Sequence, residues 1–445
     1  MTAEDGGRLA NRILIGLLAG ALAGGATLLI GRASPEFLEG AREFATLVLD
    51  PVGQVFLRML FFVVIPLVFA SLATGIAQLD HLSTLGPLAA RTFLLFFLNM
   101  AIAVTLGVVM MNVLEPGAAM APEARAQLLE EYGGEAATHV AKRAEQPDVT
   151  PMAIVEMFMP RNLFGAFVGN DRNRLGDVLP LILFAILVGA AAVRLGQERR
   201  ERLRSGLGLV NDLMTGIVHF ALRLAPYAVP AMIYSVVVKI GWDIVIALGL
   251  FVAGCIAMML LHLFGTMSVW LRLLARRNPL ATFKLMRPVL VTAFSTSSSA
   301  ATLPTALAVA REDLGVRAPV AGFVLPLGTT MNMSGTALFE GCVVLFVAQV
   351  FGIELGIAQQ ATLVVLAVLS AVAVSAIPGG ALPLVAGLLA AFGIPPEGIG
   401  IILGVERLLD MTRTTVNVGS DVVTTMVVDR FTRLGGQASG GSAIA

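Results

Sequence analysis

Long apolar runs separated by short polar stretches dominate the chain. The first run, Ile13 to Ile30, follows a polar start carrying Arg8 and Arg12. At about 1.5 Å per residue it is long enough to cross a bilayer. No small-residue cleavage site follows it, which predicts an uncleaved first helix rather than a signal peptide. Further helices are predicted at Phe44–Leu79, over-long for a straight span and therefore tilted, at Thr92–Leu114, at Leu207–Ile240 around Pro226 and Pro230, and at Asp243–Leu274. A short run, Leu179 to Val193, follows Pro160 and Pro180 and reads as a broken helix.

The last third has a different texture. Val291–Val309 is interrupted by Ser295-Thr-Ser-Ser-Ser299 and Pro304, and Val364–Phe392 by Ile377-Pro378-Gly379-Gly380. Each interrupted run precedes a better helix with a polar patch. The first is Val320–Val350, containing Asn332-Met-Ser-Gly-Thr336, and the second covers residues 404–421. On a wheel of roughly 100° per residue, Glu406, Asp410, Arg413, Thr414, Asn417 and Asp421 of that last helix share one sector of about 80–100°. Leu408, Leu409, Met411 and Val418 fill the rest.

Composition decides where that polar stripe can point. The chain has 445 residues, 57% hydrophobic and 13% charged. A soluble domain carries about 25% charged residues, so this is an integral membrane protein, and the stripe is not a face turned to water. Near a bilayer centre each ionisable group costs on the order of 2.5–3.5 kcal/mol. A whole face of them must look into protein, ions or ligand. Broken backbone at membrane depth likewise survives only when buried in protein or lining a cavity, and a repeated pair of broken segments points to a transporter binding site near the midplane.

Charge elsewhere sets the orientation. Arg-rich segments at the amino terminus, at 194–204 and at 276–287 fall on one side by alternation, the cytoplasm, with the charged loop 115–150 outside. Trp242 and Trp270 near the two ends of one helix read as interfacial anchors. Zero formal net charge gives no hint of a nucleic-acid partner, Cys255 and Cys342 in apolar runs read as packing residues, and the four histidines match no metal-ligand spacing.

The chemistry of the stripe suits a charged small molecule. Arg413 offers a planar fork for a carboxylate, and Asp410 one turn earlier suits an ammonium; the competing reading is that the two satisfy each other. Asn332, Asn417 and Asp421 bring oxygens that suit a hard cation. Glu340, a carboxylate in an apolar run, is what a proton carrier requires. The Ser-rich and Pro-Gly-Gly breaks supply free backbone groups for an anion or a cation.

Four motifs in order, Ser-Ser-Ala-Ala-Thr-Leu-Pro (298–304), Asn-Met-Ser-Gly-Thr-Ala-Leu (332–338), Ile-Pro-Gly (377–379) and Asp-Met-Thr-Arg-Thr-Thr-Val-Asn-Val (410–418), resemble the glutamate/aspartate transporter family, the dicarboxylate/amino acid:cation symporters and excitatory amino acid transporters. Phe56–Ala77 and Ala101–Gly117 resemble its second and third helices, so the likeness covers nearly the whole chain. The resemblance implies an all-α membrane protein with eight transmembrane helices, two re-entrant helical hairpins and inverted repeats, working as an elevator in a homotrimer. It divides the chain into scaffold helices 1–2 (1–79), transport-domain helix 3 (80–117), an extracellular polar loop (118–150), scaffold helices 4–5 (151–240), a transport-domain core (241–435) and a disordered tail (436–445). By position, Arg413 would bind the substrate side-chain carboxylate and Asp410 its amino group, with hydrogen bonds from Thr336 and Asn417. Ser298 and Ser299 at the first hairpin tip, and Ala376, Ile377 and Gly379 in the second, would enclose it. Asn332, Asn417 and Asp421 with the Gly328 carbonyl would hold one sodium ion, and carbonyls at Thr330, Val372 and Val374 another.

The chain also departs from the family pattern. A third sodium site has lost its donors: Phe96, Asn99, Met100 and Ser334 stand at its positions. Glu340 matches a protonatable glutamate of animal members. Ser297 and Met411 stand where a second arginine belongs. The expectation is therefore a multi-pass cell-membrane importer of acidic amino acids, with a cytoplasmic amino terminus, driven by protons, sodium or both, and with no other cofactor. A C4-dicarboxylate symporter is the alternative, which the ammonium-pairing Asp410 opposes. An intramembrane serine hydrolase built on Ser297–Ser299 lacks a nearby general base, and an anion channel would not need the paired Asp and Arg.

Overall fold

A computed structural model of the chain describes residues 3–77, 82–117, 159–168, 178–374 and 381–440. Among the described residues every regular element is helical. The first half comprises α1 (Ala3–Gly31), α2 (Pro35–Phe44), α3 (Asp50–Phe62), α4 (Val64–Ala77), α5 (Leu82–Leu114), α6 (Leu163–Val168), α7 (Val178–Val193), α8 (Gln197–Ile240) and α9 (Trp242–Leu260). π turns at Leu261–Thr266 and Trp270–Ala275 prolong α9. There follow α10 (Pro279–Thr296), α11 (Ser299–Ala308), α12 (Ala318–Met331), α13 (Ser334–Val350), α14 (Ile357–Ala373), α15 (Leu382–Ala391) and α16 (Ile399–Gly440).

By length and composition, Leu88–Leu114, Ile244–Ala275 and Ala318–Val350 can each cross a membrane. The helices pack mainly in two sets, which meet where α1 and α8 lie against α16. α1 lies along α8, α8 also packs on α3 and α4, and α7 packs on α4. Lys239 of α8 donates to Asp50 of α3 at 2.7 Å, and Ser235 donates to the same carboxylate at 2.6 Å. In the second set α13 packs on α5, α14 and α16, while α9, α10 and α12 also pack against α16.

Several predicted boundaries shift, each for a local reason. Phe44–Leu79 is not one helix: a π turn covers Ala45–Leu49 and the helix breaks at Val63. Pro66 has no N–H to give the carbonyl of Phe62, so the ladder lapses there. Val320–Val350 breaks at Asn332 and Met333, both outside helical geometry. Trp270 is 5% exposed and packs in an apolar cluster with Leu271 and Met286, so it is no interfacial anchor, whereas Trp242 is 40% exposed. α16 continues past 435 to Gly440, into the stretch expected as a disordered tail. The polar loop 118–150 and the second break, including Ala376, Ile377 and Gly379, lie outside the described residues.

The first interruption falls where the serines predict it. α10 ends at Thr296, Ser297 takes a left-handed conformation (φ 50°), and Ser298 is extended. The Ser298 hydroxyl accepts from the Ala301 amide at 3.2 Å and so caps α11.

Candidate functional site

Residues 399–440 contain no proline and form one uninterrupted helix, α16, whose polar stripe is buried while Val405, Leu408, Met411 and Thr415 on another face are half-buried. Glu406, Asp410, Arg413, Thr414, Asn417 and Asp421 are all buried, and so are Leu409 and Val418 on the other face. The stripe therefore faces protein, as its insertion cost requires.

The upper half of the stripe is a cluster of ion pairs. Arg413 Nε donates to Asp410 Oδ1 at 2.9 Å, and Nη2 lies 2.7 Å from the same oxygen. Nη2 also donates to Glu406 Oε1 at 2.9 Å. Arg413 Nη1 is buried and has no partner among the described residues. The guanidinium carbon sits 4.9 Å from the centre of the Phe339 ring, a cation–π contact from α13. Asp410 is held from its other side by Arg407, whose Nη1 donates to Oδ2 at 3.3 Å. The reading in which Asp410 and Arg413 satisfy each other is thus the geometry observed. Arg407 was not anticipated: it falls outside the stripe's sector, and only its three-residue spacing from Asp410 hinted at a pair.

The lower half joins three helices through amides. Asn417 Oδ1 accepts from the backbone of Gly335 at 2.7 Å and of Thr336 at 3.2 Å, and its Nδ2 donates to Thr336 Oγ1 at 3.0 Å. One side chain thereby satisfies the first orphan donors of α13, which explains how the break at Asn332–Met333 survives in buried surroundings. Asn332 Nδ2 donates to Asp421 Oδ1 at 2.8 Å, and Asn99 Nδ2 of α5 donates to Asn332 Oδ1 at 2.9 Å. Asp421 Oδ2 has no partner among the described residues. Gly328 lies against this carboxylate: a Cβ there would sit 2.5 Å from Asp421 Oδ1. Ser334 and Ser420 share a 3.0 Å hydrogen bond, while Phe96 and Met100 are buried in apolar clusters.

The remaining candidates take several places. Glu340 is fully buried on α13; Oε1 accepts from Ser370 of α14 at 3.1 Å and Oε2 has no partner among the described residues. The charge of Arg413 is within electrostatic reach of Glu340. Ser370 carried no signal in the sequence. Ser299 is buried at the start of α11, and α11 packs on α16. Thr330 lies in the last turn of α12, Val372 in the last turn of α14, and Val374 just past it with extended ψ; α12 and α14 pack together.

Close approach of α13 to α16 sets the geometry. A Cβ on Gly335 would meet the Arg413 carbonyl oxygen at 2.5 Å and its Cα at 3.0 Å. Gly335→Ala should therefore push the helices apart and cost about 1–3 kcal/mol, as overpacking does. A lower melting temperature in detergent is the expected result; an unchanged one would show that the contact relaxes freely.

Known proteins resemble this chain over most of its length. Over 430 residues the chain is 30% identical to a Bacillus subtilis protein named a proton/sodium-glutamate symport protein, covering 95% of this chain and 92% of that protein. It is 27% identical to the Escherichia coli proton/glutamate-aspartate symporter, covering 86% and 85% of the two chains. It is 29% identical to a Deinococcus radiodurans C4-dicarboxylate transport protein, covering 91% and 86%. The sodium:dicarboxylate symporter family model matches residues 9–431, which takes in the first interruption, the break at Asn332–Met333 and the polar stripe, and the chain belongs to that family.

Proposed function

We propose that the chain is a secondary active importer of acidic amino acids, aspartate or glutamate, coupled to protons or to protons and sodium. The carrying observation is the buried Arg413, whose Nη1 has no partner among the described residues and whose Nε and Nη2 are held by Asp410 and Glu406. A buried guanidinium with a nitrogen left to give suits a carboxylate. The names of the Bacillus and Escherichia relatives support an acidic amino acid as cargo. Thr336 and Asn417 contribute hydrogen bonds, and Ser298, Ser299 and the Ala376–Gly379 segment close over the substrate. Membership of a symporter family removes the serine-hydrolase reading.

Two packed helix sets support the division into a scaffold (1–79 and 151–240) and a mobile transport domain (80–117 and 241–435). In this reading the protein crosses the cell membrane with eight helices and two hairpins related by inverted repeats, keeps its amino terminus in the cytoplasm, forms a homotrimer and moves as an elevator. Loss of the third sodium site is supported by what occupies its positions. Ser334 is bonded to Ser420, Phe96 and Met100 are buried in apolar clusters, and Asn99 gives an amide N–H to Asn332. Asp421 with the Gly328 carbonyl, and the carbonyls at Thr330, Val372 and Val374, remain as sodium ligands of oxygen type. Glu340 carries the proton.

One observation favours C4-dicarboxylates as the second reading. Asp410 is already shared by Arg407 and Arg413, which weakens its demand for an ammonium, and the Deinococcus relative is named for such a cargo. Uptake of labelled aspartate, glutamate, succinate and malate into proteoliposomes, with sodium and proton gradients imposed separately, tests both. Asp410→Asn should weaken amino acids at least tenfold more than succinate. Equal losses would make Asp410 a partner of the arginines only, and transport of none of the four would refute the proposal.

A further inference from the structure

Glu406 belongs to the stripe, yet no role above uses it. Its carboxylate is buried, and Oε1 accepts from Arg413 Nη2 at 2.9 Å. The Arg413 guanidinium is planar and can present two N–H groups along either of two edges. The Nε/Nη2 edge is taken, because both nitrogens reach Asp410 Oδ1, at 2.9 and 2.7 Å. Along the Nη1/Nη2 edge, Nη1 has no partner among the described residues and Nη2 is held by Glu406. A carboxylate arriving as a two-pronged partner must use that second edge, and so must take Nη2 from Glu406.

Charge gives the same answer. Glu406, Arg407, Asp410 and Arg413 are two acids and two bases in a buried cluster, balanced without a ligand. Opening Arg413 to a ligand carboxylate requires Glu406 to let go, and releasing the ligand lets it return. We propose that Glu406 is a tethered stand-in for the substrate carboxylate, which occupies Arg413 in the empty carrier and so keeps the guanidinium compensated while that carrier resets. This rests on the reading that Arg413 binds the substrate carboxylate. Glu406 acts through Arg413 and is a positioning residue.

A competitor built into the site lowers apparent affinity by the fraction of time it blocks the edge. Two opposed effects follow from removing it. Glu406→Gln should tighten aspartate binding at least tenfold, because the internal rival is gone. It should also slow net uptake at least tenfold, because the empty carrier must cross with Arg413 less well compensated, while aspartate/aspartate exchange, which never needs the empty carrier, is slowed by a much smaller factor. A merely structural glutamate would give weaker binding and equal losses in both modes. Glu406→Asp keeps the charge but shortens the reach, and should tighten binding by a smaller factor; it decides the matter if the glutamine variant does not fold.

The measurements are aspartate titration of the purified full chain, and net uptake and exchange in proteoliposomes. Arg413→Ala is measured alongside. If Arg413→Ala binds aspartate as wild type does, the reading of Arg413 falls, and this proposal with it. If Arg413→Ala loses binding but Glu406→Gln and Glu406→Asp bind no more tightly than wild type, this proposal alone is overturned.

Discussion

Replacing Arg413 with alanine should abolish aspartate uptake while leaving small neutral amino acids such as serine or alanine as possible cargo. The guanidinium is the cation that a ligand carboxylate would meet on the stripe, and it is buried over the Phe339 ring. Without it an incoming carboxylate would be desolvated with no partner, a loss on the order of 2–5 kcal/mol in affinity. The substitution also leaves Glu406 without its bonded partner, whereas Asp410 keeps Arg407. Leaving one member of a buried pair alone destabilises strongly, by about 3–5 kcal/mol. The double substitution Arg413→Ala/Glu406→Ala removes both charges and controls for folding; it should be better expressed and equally blind to aspartate. Arg413→Lys keeps a point charge without the fork and should retain weak binding. Aspartate affinity equal to wild type in either alanine variant would show that the carboxylate is read elsewhere.

Replacing Glu340 with glutamine should eliminate concentrative uptake driven by an inward proton gradient in sodium-free vesicles. Glu340 feels two influences: the Ser370 hydroxyl donates to one oxygen, and the charge of Arg413 is within electrostatic reach, while the second oxygen has no partner among the described residues. A carboxylate in that position can exchange a proton as the site fills and empties, and a protonated form crosses without an added charge. Glutamine preserves shape and can still accept from Ser370, so binding and exchange should persist. What disappears is the link between the proton gradient and accumulation. The occupied amides around Asn332 and the Ser334–Ser420 bond support the same direction, since they leave fewer oxygens for cations. Strict dependence on sodium with no response to a proton gradient would defeat this reading.

Much of the site was legible because helical period is a hard constraint. Residues 406, 410, 413, 417 and 421 recur every three or four positions, and no proline intervenes, so one face was certain once a helix was granted. Burial followed from composition. What periodicity cannot supply is who bonds to whom across helices. Ser370 meets Glu340 from thirty positions away, and Asn99 meets Asn332 from 233 away. Arg407 lay off the stripe and escaped notice, although the same helix turns it toward Asp410. The break at Asn332–Met333 was hidden by good apolar flanks; it persists because Asn417 supplies the bonds a continuous helix would have made.

The bond from Asn99 to Asn332 has a mechanical consequence. It fastens α5 to the seam between α12 and α13, and through Asp421 to α16, with every linking atom shut away from water. Sliding α5 past its neighbours would strand a buried amide, a penalty of about 1–3 kcal/mol. Displacing α16 therefore drags α5 as ballast.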